Sequence, residues 1–270
     1  KIDLLKAESI GDLIHSETEL QRDQAIKLIQ GNASNYYNDL REKLIKSLSY
    51  IEAKIDFAED DLPEKVLKEV QNSIKKIHKD IHKIIEDNKI GEKIRDGFRV
   101  SITGEVNAGK SSLLNLIAKR DVAIVSDEAG TTRDVIETYL NIDGYPVILA
   151  DTAGIRDAKN EVEKKGISLA LGKSKEADLN IVVIDNSSKN INNEIKKMIN
   201  KDTIVLLNKS DLQNKQNHKF DADTVLASVK ESKNIDSLIK KIKEKLSNKF
   251  TFNNTALITR ERHRIKLNEC

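Results

Sequence analysis

Apolar residues recur every three or four positions through most of residues 1–96, which is the spacing of one face of an α-helix. The longest series lies between Gly31 and Gly91, a stretch that contains no glycine. Its first apolar stripe consists of Tyr37, Leu40, Leu44, Leu48, Ile51 and Ile55. A second stripe runs from Val66 to Ile84, with lysine common on the other face. The pattern predicts a domain of long amphipathic helices.

The spacing changes after Gly97, where short apolar runs begin to alternate with helical patterns. The runs cover residues 99–103, 135–142, 146–150, 180–185, 203–207 and 224–227. Strands that alternate with helices predict a mostly parallel six-stranded sheet with helices on both faces. The Asp143-Gly144 turn between two of the runs predicts one antiparallel hairpin.

A helical pattern resumes near the end of the sequence, but that segment is too short to form a core of its own. We therefore expect it to pack back onto the first 96 residues. The predicted boundaries are 1–96 for the first part of an all-α helical-bundle domain, 97–250 for an α/β domain inserted into it, and 251–270 for the second part of the bundle.

Composition narrows the cellular compartment and the binding partners that we expect for the protein. The 46 basic and 44 acidic residues leave a net charge of only +2, so charge gives no argument for direct nucleic-acid binding. Cys270 is the single cysteine, which favours a reducing compartment. No apolar run approaches the roughly 18 residues of a membrane span. We expect a cytoplasmic protein that does not bind membranes, and the start at Lys1 predicts a fragment of a longer one.

The candidate chemistry is concentrated at Gly104-Glu-Val-Asn-Ala-Gly-Lys-Ser111, between a predicted strand and a predicted helix. This is the context and spacing of a P-loop, whose backbone N–H groups surround phosphate. Lys110 can reach the outer phosphates and Ser111 can ligate Mg²⁺. The predicted nucleotide contacts are Glu105, Val106, Asn107, Ala108, Gly109, Lys110, Ser111 and Ser112.

A further motif follows in the order expected after a P-loop. Asp151 ends a predicted strand and can hold Mg²⁺, and the Gly154 N–H can contact the γ-phosphate. We include Thr152 and Ala153 with them as predicted nucleotide contacts.

The segment Gly130-Thr-Thr-Arg-Asp134 lies between the P-loop and Asp151. We expect Gly130, Thr131 and Thr132 to contact the nucleotide. A mobile threonine at Thr132 can complete the Mg²⁺ shell when a γ-phosphate is present.

Asn208-Lys-Ser-Asp211 predicts recognition of guanine. The Asp211 carboxylate can accept hydrogen bonds from the ring N–H and the exocyclic amine of guanine, which adenine does not offer in that arrangement. Such sites discriminate by roughly 10⁴–10⁵. Lys209 would cover the base, Asn208 would brace the loop, and Ser228-Val229 could direct a backbone N–H at the guanine oxygen. The motifs together predict a P-loop GTPase that uses GTP and Mg²⁺.

The residue after Gly154 is Ile155, where many small GTPases carry a glutamine that orients the attacking water. An isoleucine side chain cannot hydrogen-bond to water. Either turnover is very slow or another group orients the water, and the polar residues nearby are Arg156, Asp157, Glu161 and Glu163.

These motifs together resemble the family of the tRNA-modification GTPase MnmE (TrmE). The resemblance is carried by Asn107 in the P-loop, by segments 130–134, 151–156 and 161–163, and by the helical segments 1–14, 50–57 and 260–264. It implies a GTPase acting in modification of the tRNA wobble uridine, of the 5-carboxymethylaminomethyl type, with the FAD-dependent protein MnmG (GidA) as partner.

The resemblance also implies how hydrolysis occurs. The G domains of a homodimer would meet across their nucleotide faces, and a K⁺ ion held in part by Asn107 would replace an arginine finger. Lys110 and Asn107 would assist catalysis, and the water-orienting glutamate would be Glu163. The residues alone left Asp157 and Glu161 equally good candidates for that role.

Some features depart from the family pattern. The folate-binding N-terminal domain is not in the sequence. The C-terminal C-x-G-K motif is not in it either, since Cys270 corresponds to a mid-helix position. Val229 stands where the family usually has alanine. We therefore expect GTP hydrolysis without complete uridine modification. The alternatives are a ribosome-assembly GTPase and a truncated non-catalytic relic whose helices serve only as an interaction scaffold.

Overall fold

The computed structural model describes residues 2–57, 64–87, 89–120, 123–124, 137–151, 176–188, 190–212, 218–250 and 257–269. The chain forms two compact units. The helical unit comprises Lys1–Ser16, Gln21–Arg95 and Phe252–Cys270, and the sheet unit comprises Glu17–Leu20 and Asp96–Thr251.

The helices and strands of the described residues are numbered in chain order. The helices are α1 (Leu4–Ile14), α2 (Glu19–Ile29), α3 (Asn32–Asp56), α4 (Glu64–Ile85), α5 (Ile90–Asp96), α6 (Lys110–Arg120), α7 (Asn193–Met198), α8 (Ile235–Lys249) and α9 (Glu261–Glu269). The strands are β1 (Phe98–Gly104), β2 (Ala123–Ile124), β3 (Glu137–Ile142), β4 (Tyr145–Asp151), β5 (Leu179–Asp185), β6 (Thr203–Asn208) and β7 (Asp223–Leu226).

The strands form one sheet in the order β2-β3-β4-β1-β5-β6-β7. Strands β4, β1, β5, β6 and β7 are parallel to one another, whereas β3 pairs antiparallel with both β4 and β2. The predicted fold class and the predicted hairpin are confirmed. Among the described residues the sheet has a seventh strand that was not predicted, because β2 has two residues and so carries no recognisable alternation.

The central strands are apolar because both of their faces are covered. All six residues of β6 are buried, as are most of those in β1 and β5. Helix α8 contributes a buried stripe of Ile235, Leu238, Ile242 and Leu246, at helical spacing. Strand β1 lies between β4 and β5. The strands that follow it first, β2 to β4, lie on one side of β1, and the later strands, β5 to β7, lie on the other side. In open α/β sheets such a switch point places the ligand crevice at the carboxyl ends of the strands.

In the helical unit, the described part of the end segment packs back onto the first 96 residues, as predicted. Arg264 of α9 is 7 % exposed. Its Nε lies 2.8 Å from Glu92 Oε1 and its Nη2 lies 2.8 Å from Asp87 Oδ1. A third guanidinium hydrogen bond goes to the backbone oxygen of Ile85. A buried arginine with this many acceptors is satisfied only when α9 is docked against the segment that joins α4 and α5.

The first predicted stripe lies on a single helix, α3, but only its beginning is covered. Leu40 is 6 % exposed, whereas Leu48 is 54 % and Ile55 is 69 % exposed. Amphipathic spacing therefore identified the helix correctly without showing which part of its apolar face is buried.

Two negative findings apply to the described residues. None of the helices in that part of the chain is both long enough and apolar enough to cross a membrane. The same residues contain no cluster of three or more His, Cys, Asp or Glu side chains suited to a metal ion.

Candidate nucleotide-binding site

The predicted P-loop joins the end of β1 to the start of α6, which places it at the switch point of the sheet. Gly104 has φ of 144°, a backbone conformation that favours glycine. A Cβ atom at this position would lie 2.1 Å from the backbone oxygen of Val183 on β5. Glycine thus allows β1 to approach β5 closely where the loop begins.

The loop reverses direction through two further residues with positive φ. Asn107 has φ of 61° and Gly109 has φ of 102°. Asparagine is among the few side chains that tolerate the left-handed region. A Cβ atom on Gly109 would lie 2.2 Å from Asn208 Nδ2, so the loop packs directly against the start of the predicted base-recognition motif.

Hydrogen bonds within and beside the loop hold its other residues. Lys110 Nζ donates to the backbone oxygen of Glu105 at 2.7 Å. The Glu105 carboxylate accepts from the backbone N–H of Asn192 at 2.7 Å, and Asn192 caps α7. Val106 is 71 % exposed, so its side chain adds nothing to the core. Glu105 therefore connects the loop to the segment that follows β5.

Asn208 bridges the two halves of the candidate site. It ends β6 and is 3 % exposed. Its Nδ2 donates to the backbone oxygen of Ala108 at 2.8 Å, and its Oδ1 accepts from the backbone N–H of Val229 at 3.0 Å. A buried amide with both ends satisfied by backbone groups fixes the relative positions of three loops, which are the P-loop, the loop after β6 and the turn after β7. Asn208 therefore holds these loops together, and its role toward a nucleotide stays a prediction.

Asp211 is held in place from the turn after β7. Its Oδ1 accepts from Ser228 Oγ at 2.6 Å, and Ser228 is fully buried. The hydrogen bond from Ser228 lowers the pKa of the Asp211 carboxyl, as do its own backbone N–H and the nearby charges of Lys230 and Lys209. The carboxylate is thus oriented and negatively charged, which is the state that accepts two N–H donors from a base.

The backbone N–H groups of the Ser228-Val229 turn are bonded within the protein. Val229 donates to Asn208 Oδ1, and Ser228 donates to the backbone oxygen of Lys233 at 3.2 Å. A contact from this turn to a guanine oxygen stays a prediction, and through Val229 it would require sharing the bond to Asn208.

Lys209 has a partner that the sequence did not indicate. Its φ is 64°, and its Nζ lies 2.6 Å from Asp185 Oδ2 at the end of β5. Asp185 Oδ1 accepts from both the backbone N–H and the Oγ of Ser187, at 2.9 and 2.6 Å. The sequence signal that could have indicated this pair is an aspartate at the end of a predicted parallel strand, because the carboxyl ends of such strands meet at one edge of a sheet.

Several predicted site residues fall outside the described part of the chain. These are Gly130, Thr131, Thr132, Thr152, Ala153, Gly154 and Glu163, together with Ile155. Asp151 is described only as backbone, at the end of β4, where it pairs with Ile102 of β1 two residues before Gly104. Ser111 and Ser112 lie exposed in the first turn of α6. The roles of all these residues stay predictions.

Residues 4–270 match the family model described as MnmE helical domain. Curated relatives match over the whole chain. The chain is 55 % identical over 275 residues to the tRNA modification GTPase MnmE of Pelagibacter ubique strain HTCC1062, and it covers 61 % of that protein. It is 44 % identical over 276 residues to the protein of the same name from Rickettsia bellii, of which it covers 62 %. The chain thus spans about three fifths of the length of these relatives.

Two solved structures resemble the chain more loosely. The G domain of the Thermotoga maritima FeoB iron transporter matches with a TM-score of 0.39 and 24 % identity, over 55 % of this chain and 98 % of that domain. A GTP-binding protein of Sulfolobus solfataricus in complex with GDP matches with a TM-score of 0.41 and 18 % identity, over 92 % of this chain and 73 % of that protein. The strand order shows the fold of the sheet unit by itself.

Proposed function

Because the chain belongs to the MnmE helical-domain family, we propose that it binds GTP and hydrolyses it to GDP and phosphate. In the longer protein this reaction would serve modification of the tRNA wobble uridine. The observation that carries the proposal is the Asn208 bridge, which links the P-loop at Ala108 to the base-recognition turn at Val229. Relatives that the chain matches over its full length are named tRNA modification GTPases.

Guanine is the base that the charged groups of the site favour. The Asp211 carboxylate, oriented by Ser228, would accept the ring N–H and the exocyclic amine of guanine. Adenine would leave this carboxylate without donors, and unpaired polar groups in such a site are costly. Lys209 would lie against the base.

The phosphates would occupy the P-loop, where backbone N–H groups and the start of α6 favour anions. Lys110 now donates to the backbone oxygen of Glu105, and we expect it to turn toward the outer phosphates. The hydroxyl and carboxylate oxygens of Ser111, Thr132 and Asp151 are ligands that suit Mg²⁺. When bound, Mg²⁺ would supply charge neutralisation at the phosphates.

We also propose the arrangement in which the reaction takes place. Residues 97–250 would be the G domain, and residues 1–96 with 251–270 would belong to the helical domain. The G domains of two copies would meet across their nucleotides, and the partner protein would be MnmG (GidA), with tRNA bound by the complex in the cytoplasm. The family match favours this function over a ribosome-assembly GTPase or a non-catalytic relic.

GTP turnover is expected to be about 10-fold or more faster in KCl than in NaCl at equal ionic strength. The amide oxygen of Asn107 would help bind K⁺. A cation in place of an arginine finger would stabilise the charge of the transition state, and arginine fingers raise the rate of hydrolysis about 10³–10⁵-fold in this way. Steady-state phosphate release, measured at fixed Mg²⁺ and protein concentration, gives the ratio. Equal rates in the two salts would rule out the cation mechanism but would not contradict the proposal that the protein binds GTP.

A matched variant for this experiment is Asn107→Gly. Glycine retains the left-handed backbone at φ of 61° and removes only the amide side chain. We expect the variant to bind GDP with near-normal affinity and to lose the difference between KCl and NaCl. A variant that keeps the full K⁺ preference would show that Asn107 is not a cation ligand.

Glu163→Ala is expected to slow GTP hydrolysis by about 10²-fold, which is the contribution typical of a group that positions or deprotonates a reactant. The affinity for GTP should change little, because the proposed role is to orient water. Single-turnover hydrolysis and nucleotide affinity are measured on the same preparation. Glu161→Ala is the control, since Glu161 was an equally good candidate from the residues alone. A larger loss in Glu161→Ala than in Glu163→Ala would reverse the assignment.

A further inference from the structure

The ion pair between Asp185 and Lys209 joins two neighbouring strands at the edge of the sheet where the candidate nucleotide site lies. Asp185 is the last residue of β5 and pairs in register with Asn208, the last residue of β6. Lys209 is the next residue after that pair. Its Nζ lies 2.6 Å from Asp185 Oδ2, and the two side chains are only 33 % and 21 % exposed.

Asp185 is itself fixed from a second direction. Ser187 donates to Asp185 Oδ1 through both its backbone N–H and its Oγ. One carboxylate oxygen is therefore committed to Ser187 and the other to Lys209. The backbone N–H of Asn186 also donates to the backbone oxygen of Asn208 at 2.9 Å, so the segment after β5 is joined to the base-recognition motif through main chain as well.

We propose that Asp185 is a positioning residue of the guanine subsite, which holds the Lys209 ammonium and so fixes the lysine stem before a nucleotide arrives. The proposal rests on the proposed function, because Lys209 acts on a nucleotide only if this site binds one. A lysine has many rotamers in solution, and a ligand that must order such a side chain loses affinity. Holding it at its charged end removes that cost from binding.

The electrostatics agree with this role. Burial alone would raise the pKa of the Asp185 carboxyl, but the hydrogen bonds from Lys209 and Ser187 lower it below its usual value. The carboxylate consequently stays charged at neutral pH and below, and it remains a charge-assisted acceptor for the ammonium.

The role can be separated from that of an ordinary ion pair by a double-mutant cycle on GDP affinity. The four proteins are the full chain and its Asp185→Asn, Lys209→Met and doubly substituted variants, each titrated with a fluorescent GDP analogue. Asp185→Asn keeps the shape of the side chain and an oxygen for Ser187, but removes the charge that Lys209 contacts. We expect it to weaken GDP binding about 3- to 10-fold, as for one side chain that must be ordered on binding.

The double variant is expected to bind GDP no more weakly than Lys209→Met alone, because Asp185 acts through Lys209. Independent losses that multiply in the double variant would overturn the proposal, as would an Asp185→Asn variant with unchanged affinity. Ser187→Ala provides a second, milder disturbance of the same carboxylate, and it should weaken binding in the same direction, even if Asp185→Asn folds poorly.

Asp223→Asn is the matched control for a purely structural effect. Asp223 lies in the same unit, at the start of β7, and its carboxylate pairs with Lys241 and Lys245 at 3.2 and 2.9 Å. The same chemical change there should leave GDP affinity unaltered. If Asp223→Asn lost as much GDP affinity as Asp185→Asn, the effect would be due to a general loosening of the unit, and the proposal would be overturned. Failure of the unaltered chain to prefer GDP over ADP would instead overturn the proposed function itself.

Discussion

Asp211→Asn is expected to weaken GTP binding by roughly 10⁴-fold, and to make the protein prefer XTP. The carboxylate of Asp211 offers two acceptors, which match the two N–H donors of guanine. An amide replaces one acceptor with a donor. Xanthine carries a carbonyl where guanine has its exocyclic amine, so xanthine complements the asparagine whereas guanine opposes it. The change therefore inverts the preference of the site and does not merely weaken it.

Competition against a fluorescent nucleotide measures this prediction, with GDP, XDP and ADP as competitors for each protein. The control is Asp221→Asn, which makes the same substitution at an exposed position in the same unit. It should bind GDP like the unaltered chain. If Asp211→Asn still preferred GDP to XDP, Asp211 would not read the base, and the guanine specificity proposed for the site would be lost with it.

Gly104→Ala is expected to reduce the free energy of unfolding by about 4 kcal/mol or more, a loss at the severe end for a single substitution. The new methyl group would lie 2.1 Å from the backbone oxygen of Val183, and φ of 144° is strained for alanine. Since Gly104 and Val183 are partners in the β1–β5 ladder, relief of the clash requires two central strands to separate. GDP binding should be lost in the same variant.

Chemical denaturation followed by circular dichroism tests this expectation, with Gly11→Ala as the control. A Cβ atom at Gly11 would meet nothing within 4 Å, and the residue lies inside α1. Alanine there should stabilise the protein by up to about 1 kcal/mol, because it restricts the unfolded chain and favours helix. Equal unfolding midpoints for Gly104→Ala and the unaltered chain would mean that β1 and β5 are not as close as described.

The strands and the P-loop were predictable because their signals are local. The runs that became β1, β5 and β6 are continuous and apolar, and short apolar runs between turn signals are typical of buried parallel strands. The P-loop follows one of them at fixed spacing, so a linear motif was enough to locate it. The two-residue strand β2 lay below the length at which alternation becomes visible.

The contacts that assemble the candidate site were not predictable in the same way. Asp185 and Lys209 are 24 residues apart, and Glu105 and Asn192 are 87 residues apart. Each pair meets only because neighbouring strands adopt a particular register, and no periodicity along the chain specifies that register. The same limit applies to α3, where spacing revealed an apolar face but not that Leu40 is covered and Ile55 is exposed.

The sequence by itself determined the class of fold and the order of the motifs, and it predicted the kind of ligand they suit, since these depend on residue type and spacing along the chain. The tertiary structure decided which groups hold those motifs in place: Ser228 behind Asp211, Ala108 and Val229 on either side of Asn208, and Asp185 beside Lys209. The physical reason is that hydrogen bonds are short and directional, so their partners are settled by strand register and loop packing.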